Sequence, residues 1–552
     1  MVKKLFQDDR LVIFDGATGT SLQELGWSTG QPADVCNMVK PELVEYLNKS
    51  YADAGADVIT SNTFGSNTFK LKPFGYTPEE VIKKAVSIAR RAAGTRPVAL
   101  SVGPLGKLLG PMGDMTFDDA YSEFAVQMKA GQEAGVDLIL IQTMTDLYEA
   151  KAAVIAAREN TNLPVICTMT FQKNGRTMMG NDPESVLTVL EALGVDALGV
   201  SCSLGPDALM PIVKIFTENA RVPVLVQPNA GLPELKDGKA VYALTPEYFA
   251  EAAEKIADMG AKLIGGCCGT NPSFTKALSS RLGGRKWKKR DVPAATKIAS
   301  GRQTIILDKE FHTVGQRINP GGRPDLTRAV KEMDLNLFFE EAMLQKQSGA
   351  EILDINVFVE NTDEAETMYK TVEFIQSMLP VPMVIDSADP RALEAGAKAY
   401  NGKPVLSSVN GSNDSLEKVL PIVKKYGTAV IGRTVDEAGI PDTAEGRLKI
   451  AEKILEAALA YGIKREDLII DCIVESEASV PGRDEITLEA LRLIKKELGL
   501  KTILGISSIS YGSSNRERLN AEFLKKALEA GLDLAVLDPM EQETADVISE
   551  LK

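Results

Sequence analysis

Cysteine is scarce in this chain, six in 552 residues, too few for a disulfide framework of the secreted kind. Two of the six are neighbours, in GGCCGT at 265–270, and vicinal cysteines cannot pair with each other without straining the backbone. Long apolar runs are missing as well. No stretch reaches the roughly 18 residues that a membrane helix needs, and the opening MVKKLFQDDRLVIF lacks the apolar segment and small-residue cleavage site of a secretory signal. Positive charge is in deficit, 62 Lys and Arg against 76 Asp and Glu, and a net charge of −14 repels polyphosphate and anionic lipid. These absences argue against nucleic acid and membranes as partners and predict a cytoplasmic protein. The glycines of FDGATGT lack the GxGxxG spacing of a dinucleotide site, and the single histidine, His312, reads as a packed or half-buried residue of an alternating strand.

A chain this long exceeds what one hydrophobic core organises, so at least two domains are expected. What the sequence has in abundance is one unit, a short β-branched strand ending in polar or glycine residues, followed by an amphipathic segment rich in Ala, Glu and Lys. The first half holds eight such strands: LVIFDGA, ADVITSN, PVALSVG, LILIQTM, PVICTMTF, ALGVSC, VLVQPNAG and KLIGGCC. A second eight follow: HTVGQRIN, AEILDIN, PMVIDS, PVLSSVN, TAVIGRT, LIIDCIV, TILGISS and LAVLDPM. Eight strands in about 250 residues is the signature of a (β/α)8 barrel. The fold class predicted is α/β, two tandem (β/α)8 TIM barrels over residues 1–285 and 303–552. The rival is an open doubly wound sheet. Between them RKWKKRDVPAATKIASG has no apolar period and reads as a linker, 286–302, while QTIIL and the residues before His312 read as a small hairpin closing the bottom of the second barrel.

Active sites of such barrels lie at the C-terminal ends of the strands. Cys202 ends the sixth strand of the first set, and Cys267 and Cys268 end the eighth. Three thiolates brought together over the barrel mouth make an all-sulfur set for zinc, with one position left open for a substrate. Such a complex is anionic, so a fourth sulfur joining it as thiolate stays electron-rich, and the substrate implied is a thiol. The glycines around the pair are read as letting the backbone approach the metal closely. Cys36, Cys167 and Cys472 read instead as small buried hydrophobes.

These residues carry a resemblance. GGCCGT, VSCSLGP, QPNAG, FDGATGT and SNTFG resemble the zinc-dependent homocysteine methyltransferase module, shared by betaine and S-methylmethionine enzymes and by cobalamin-dependent methionine synthase. GQRINPGGR, LDIN, VIDS, LIIDC and LGISSISYGSSNRERLN resemble the pterin-binding barrel that follows it in methionine synthase and is related to dihydropteroate synthase. The resemblance implies zinc on Cys202, Cys267 and Cys268, with homocysteine bound there as thiolate. It also implies that Asp15 holds the amino acid's ammonium group, and that the loop Gly16 to Thr20, Gly16 and Thr18 included, offers backbone N–H groups to its carboxylate. Gln142 stands where the family usually has glutamate. A neutral amide still accepts a hydrogen bond but loses the ion pair, so amino-acid binding weakens unless Asp15 compensates.

For the second barrel the resemblance implies binding of methyltetrahydrofolate as methyl donor. Asp386 and Asp471 match two central aspartates, Asp354 and Asn356 keep an Asp-x-Asn pair, Asn319 belongs to the GQRINPGGR loop, and Arg516 matches an arginine of the closing helix. Carboxylates at strand ends suit the N–H groups of an amino-pyrimidinone. Three positions depart from the family: Gln316 replaces a glutamate, Ser407 an asparagine, and Ser508 the asparagine that assists the proton at N5 of the pterin. Tyr511, Ser513 and Ser514 also replace Phe and Leu-Pro. Catalytic roles fall to Ser508, acting through a water, and to Asp471.

An amine is a poor leaving group, so methyl transfer from folate to homocysteine calls for a cobalt carrier that splits it into two displacements. No Asp-x-His-x-x-Gly corrinoid loop is present, so cobalamin is expected in trans, on a separate corrinoid protein or a missing domain. Two alternatives stand beside this reading. The zinc barrel acts on a methylcorrinoid charged elsewhere or on another small methyl donor, with the second barrel altered in ligand; or the second barrel is a scaffold that docks a corrinoid protein.

Overall fold

The computed structural model describes residues 2–550 apart from 29, 237, 238, 309 and 477–481. The chain divides into two compact units, Met1–Pro293 and Ala294–Lys552. No helix among the described residues is long and apolar enough to cross a membrane.

In the first unit eight parallel strands run Val12–Ile13, Ile59–Thr60, Val98–Val102, Leu138–Met144, Val165–Met169, Ala197–Ser201, Val224–Gln227 and Leu263–Ile264. Their order in the sheet is first, eighth, seventh and so on down to second. A single parallel bridge from Phe14 to Val58 joins the two ends. Most strand residues are fully buried, as expected where helices cover one face and the barrel interior the other. The interior is filled by Val12, Phe14, Val58, Ala99, Leu138, Leu140, Ile166, Ala197, Leu225 and Leu263, with Leu5 of the helix Val2–Gln7 packed on them. Each of these side chains larger than alanine contributes about 1.5–3 kcal/mol by leaving water.

The second unit is a closed ring of His312–Ile318, Ile352–Ile355, Met383–Asp386, Val405–Asn410, Ala429–Arg433, Leu468–Asp471, Lys501–Gly505 and Leu534–Leu537, in sequence order. Its interior takes Val314, Ile352, Val384, Val405, Ala429, Ile469, Ile503 and Leu534, with Ile431 as a second from the fifth strand. A hairpin adds Ile298 and Ile305, and Leu307 follows it, sealing the end at which the strands begin. The stretch read as a linker therefore supplies a strand, Lys297–Ala299. It pairs antiparallel with Thr304–Ile306, so QTIIL does form a hairpin, with the segment before it and not with the residues before His312. Its Lys-Ile-Ala is too short to show a period, and only the pairing reveals it.

Helix starts follow local rules. Thr77 with Glu80 and Thr116 with Asp119 form reciprocal capping boxes, and Pro78, Pro183, Pro246, Pro272 and Pro390 open helices where no N–H is needed. The strand-to-helix loops at the other end of each ring are left to build the sites.

Candidate active site

At the mouth of the first barrel the sulfurs of Cys202, Cys267 and Cys268 lie within 4.8 Å of one another, Cys202 and Cys268 being 3.7 Å apart. Backbone bonds fix all three to the segment after the seventh strand. The Cys202 N–H donates to Gln227 O (2.9 Å), the Cys267 N–H to Pro228 O (2.8 Å), and the Ala230 N–H to Cys268 O (3.0 Å). Cys202 and Ser203 take left-handed backbone, φ 66° and 63°, which costs of order 1 kcal/mol each and persists because these bonds over-determine the turn. Thiol hydrogen bonds from Cys267 and then Cys268 pull Cys202 well below the usual thiol range, and their bonds to Cys202 push the other two up. One anionic sulfur between two thiols gains by exchanging protons for a cation. The Asn229 side chain donates to Cys202 as well, and Gln227, whose Oε1 has no partner among the described residues, lines the same cavity. The donor set fits a thiophilic metal such as zinc.

The glycines of GGCCGT serve packing. A Cβ on Gly265 would stand 2.8 Å from Phe14 Cβ, and one on Gly266 would stand 2.4 Å from Thr270 Oγ1. Gly269, at φ 81°, lies against the Tyr242 ring, 2.1 Å from where its Cβ would be. Packing is thus a cause for these glycines besides the close approach of backbone to a metal read from the sequence. They let the eighth strand approach the first and let Tyr242 reach Cys268, to which its hydroxyl donates.

The three cysteines line a cavity of about 530 Å³ together with Asp15, Gly16, Thr18 and Gln142. Asp15 is 3% exposed and accepts the Thr60 N–H and hydroxyl, both at 2.6 Å, yet burial still pushes its carboxyl up to about 6. The following loop is pinned by the Tyr51 hydroxyl on Ala17 O (2.7 Å) and by the Ala17 N–H on Thr270 Oγ1 (3.2 Å). Gly16 is required there, since a Cβ would meet both Thr270 Oγ1 and the Tyr51 hydroxyl inside 3.0 Å. Gln142 donates to Ser101 Oγ at 2.7 Å, which leaves its amide oxygen for the cavity. Asn229, Gln227, Tyr242 and Thr60 were not singled out from the sequence. The available signal was QPNAG ending a strand beside those that carry the cysteines.

In the second barrel the structure gathers several of the expected residues at the strand ends. Asn356 donates to Asp386 Oδ2 (2.9 Å), and Asp386 lies in register with Ser407 on the next strand. Burial first, and the Asp386 charge second, push Asp354 well above the carboxylate range. Asp471 is raised by burial too, although Arg433 stands 3.6 Å from its Oδ2 and the Ile473 N–H donates to its Oδ1 at 2.8 Å. Gln316 donates to Ser507 Oγ (2.7 Å), and Arg516 donates to Ser507 O (3.3 Å) and Ser510 Oγ (3.2 Å). Asn319 accepts the Gly321 N–H within its own loop (2.8 Å). Ser508 stands apart: it closes the single turn Ile506–Ser508 and is exposed. Outside the sites, Cys36, Cys167 and Cys472 are fully buried, and His312 is buried with Nδ1 2.7 Å from Glu351. All six cysteines are free.

Residues 12–282 match the family model for homocysteine S-methyltransferase, and residues 318–538 that for pterin binding enzyme. The chain carries one domain of each family. Curated relatives include the methionine synthases of Mycobacterium tuberculosis (strain ATCC 25618 / H37Rv) and Mycobacterium leprae (strain TN), 32% and 31% identical over 96% of this chain. The match covers 47% of each, so the chain spans about half the length of the curated relatives it matches. Among solved structures, the metallated homocysteine methyltransferase MmuM from Escherichia coli aligns with 50% of this chain and 97% of its own, at TM-score 0.44 and 22% identity. Dihydropteroate synthase from Xanthomonas albilineans aligns with 47% of this chain and 96% of its own, at TM-score 0.37 and 17% identity.

Proposed function

We propose that this chain is the substrate-binding part of a methyltransferase that makes methionine. Homocysteine is activated in the first domain, methyltetrahydrofolate is bound by the second, and the methyl group passes between them on a corrinoid borne by a separate protein or a further domain. The observation that carries the reading is the meeting of three thiols within 4.8 Å in a cavity that also presents Asp15 and Gln142.

Cys202, Cys267 and Cys268 would hold zinc, which acidifies a thiol that joins it and leaves that sulfur electron-rich. A free alkyl thiol has a pKa of about 8.5, so without such help it is mostly protonated at neutral pH. Asp15 and the amide oxygen of Gln142 receive the ammonium group, and the loop Gly16 to Thr20 receives the carboxylate on backbone N–H groups other than that of Ala17, which Thr270 already takes. The two Thr60 bonds use only part of the acceptor capacity of Asp15, since a carboxylate has about four lone-pair sites. A reducing cytoplasm would keep these neighbouring thiols free.

In the second domain Asp354, Asn356, Asp386 and Asp471 face a pterin's amino-pyrimidinone edge, with Gln316, Asn319, Ser407 and Arg516 around the ring. Asp354, raised by burial, keeps a proton to donate, while Asp471 accepts. Ser508 reaches the N5 proton through a water. The exposure of Ser508 favours a second reading, in which this domain has changed its ligand or docks a corrinoid protein and the first domain takes its methyl group from a methylcorrinoid or another small donor.

Calorimetry of methyltetrahydrofolate with the chain, followed by an assay of methionine formation with added cob(I)alamin, tests the proposal. Folate binding with corrinoid-dependent methionine is the result expected. Methionine from methylcobalamin with no folate binding would select the second reading.

A further inference from the structure

Arg447 is the largest fully buried side chain among the described residues. It lies on the helix Ala444–Ala460 and sends its guanidinium beneath the end of the sixth strand of the second barrel. There one terminal nitrogen donates to Cys472 O (2.7 Å), Ile473 O (2.8 Å) and Thr487 Oγ1 (2.9 Å). The other donates to Glu475 (2.7 Å), and Nε donates to Pro441 O (3.2 Å). The Thr487 hydroxyl donates to Ile473 O as well, at 2.9 Å. So much support converges on a residue that resists its own conformation. Ile473 has φ 60°, left-handed backbone that is rare for a β-branched residue and unfavourable without outside restraint. The Cys472–Ile473 peptide, whose carbonyl Arg447 holds, turns its N–H onto Asp471 Oδ1 at 2.8 Å at the start of this turn, fixing the carboxylate through one oxygen while Arg433 stands 3.6 Å from the other.

We infer that Arg447 is a positioning residue for Asp471. By clamping the carbonyls of Cys472 and Ile473 it holds the left-handed turn whose N–H orients the Asp471 carboxylate toward a pterin. The consequence for folate rests on the pterin reading above; the clamp on the turn does not. Arg447 is fully buried and reaches Asp471 through the backbone, by the carbonyls of the two residues that follow it.

The decisive experiment pairs Arg447→Gln with Ile473→Gly in the full chain, because glycine takes a positive φ without steric cost and so relieves the need for a clamp. Methyltetrahydrofolate affinity is read by calorimetry, and amide exchange across 471–475 is read without ligand. Arg447→Gln should weaken folate by about tenfold or more and speed exchange in the turn, as lost support of buried carbonyls implies. Adding Ile473→Gly should recover most of the affinity. Where Arg447→Gln does not fold, Thr487→Val removes the second support of the same carbonyl and should give a smaller loss that Ile473→Gly also repairs. Unchanged exchange and affinity in the single variants, or losses that simply add in the double variant, would overturn the inference. Exchange needs no ligand, so it decides the arginine's role even if the unaltered chain takes no folate, a result that would overturn the pterin reading instead.

Discussion

Gln316 donates its side-chain amide to the Ser507 hydroxyl across 2.7 Å, tying the first strand of the second barrel to the turn after the seventh. Ser507 also offers its carbonyl to Arg516, so the turn Ile506–Ser508 is held at its base on both sides while Ser508 is left exposed. The held residue and the exposed one are neighbours, and only the second is the position at which the resemblance implies an asparagine serving N5.

Restoring that side chain is the sharpest test of the second domain. Ser508→Asn lengthens the side chain without disturbing Ser507. If folate is the donor, methyl transfer to added cob(I)alamin should rise by about tenfold, the scale of one direct hydrogen bond replacing one made through water. No gain, measured alongside unchanged folate affinity, would mean that Ser508 does not limit the reaction.

Gln142 gives a matching test in the first domain. Its amide nitrogen donates to Ser101 Oγ, and a glutamate there could accept from the same hydroxyl while presenting charge to the cavity. Gln142→Glu should therefore tighten homocysteine by roughly threefold to tenfold, as a charge-assisted bond replaces a neutral one. Affinity measured with the zinc-loaded protein decides it; no change would remove Gln142 from the ammonium site.

Glu149 allows a prediction about pH. It is 3% exposed and accepts the Leu105 N–H at 2.7 Å, and burial pushes its carboxyl up to about 7. From the usual 4.5 up to about 7 the folded chain keeps a proton that the unfolded chain has lost. This contribution to stability therefore falls as pH rises through that window. Glu149→Gln retains the acceptor and cannot ionise. Its melting temperature should match the parent near pH 4.5 and exceed it at pH 8, by an amount corresponding to about 1–3 kcal/mol. Equal melting temperatures at pH 8 would count against the buried charge.

The strands were legible because their apolar runs are β-branched and end in Gly, Asp, Asn or Ser, a pattern that any buried parallel strand must show. The cysteines were legible because sulfur at the ends of the sixth and eighth strands, on either side of the seventh, is chemically specific. What escaped were partners that only the closed ring brings together. Thr60 grips Asp15 from the next strand, Tyr242 reaches Cys268 from the loop after the seventh, and Arg447 supports Ile473 from a helix 26 residues away. No local period encodes such pairs. The GGCCGT glycines were noticed, but their packing against Phe14, Thr270 and Tyr242 was not, since of these only Thr270 is near in sequence.

The metal prediction separates the two domains. Cys267→Ala leaves Cys202 without the thiol donor that most lowers it, and Cys268→Ala removes the sulfur 3.7 Å away, so either variant offers two sulfurs where three now meet. A two-sulfur remnant binds zinc far more weakly than the full set, because zinc needs four ligands and only one position is reserved for substrate. Both variants should therefore lose stoichiometric zinc, read by metal analysis after dialysis, together with homocysteine binding. Folate affinity should stay at the parent value, since the two barrels have separate cores. Zinc retained in full by both variants would sink the ligand assignment, whereas folate lost along with zinc would mean that the cysteines support more of the chain than their own barrel mouth.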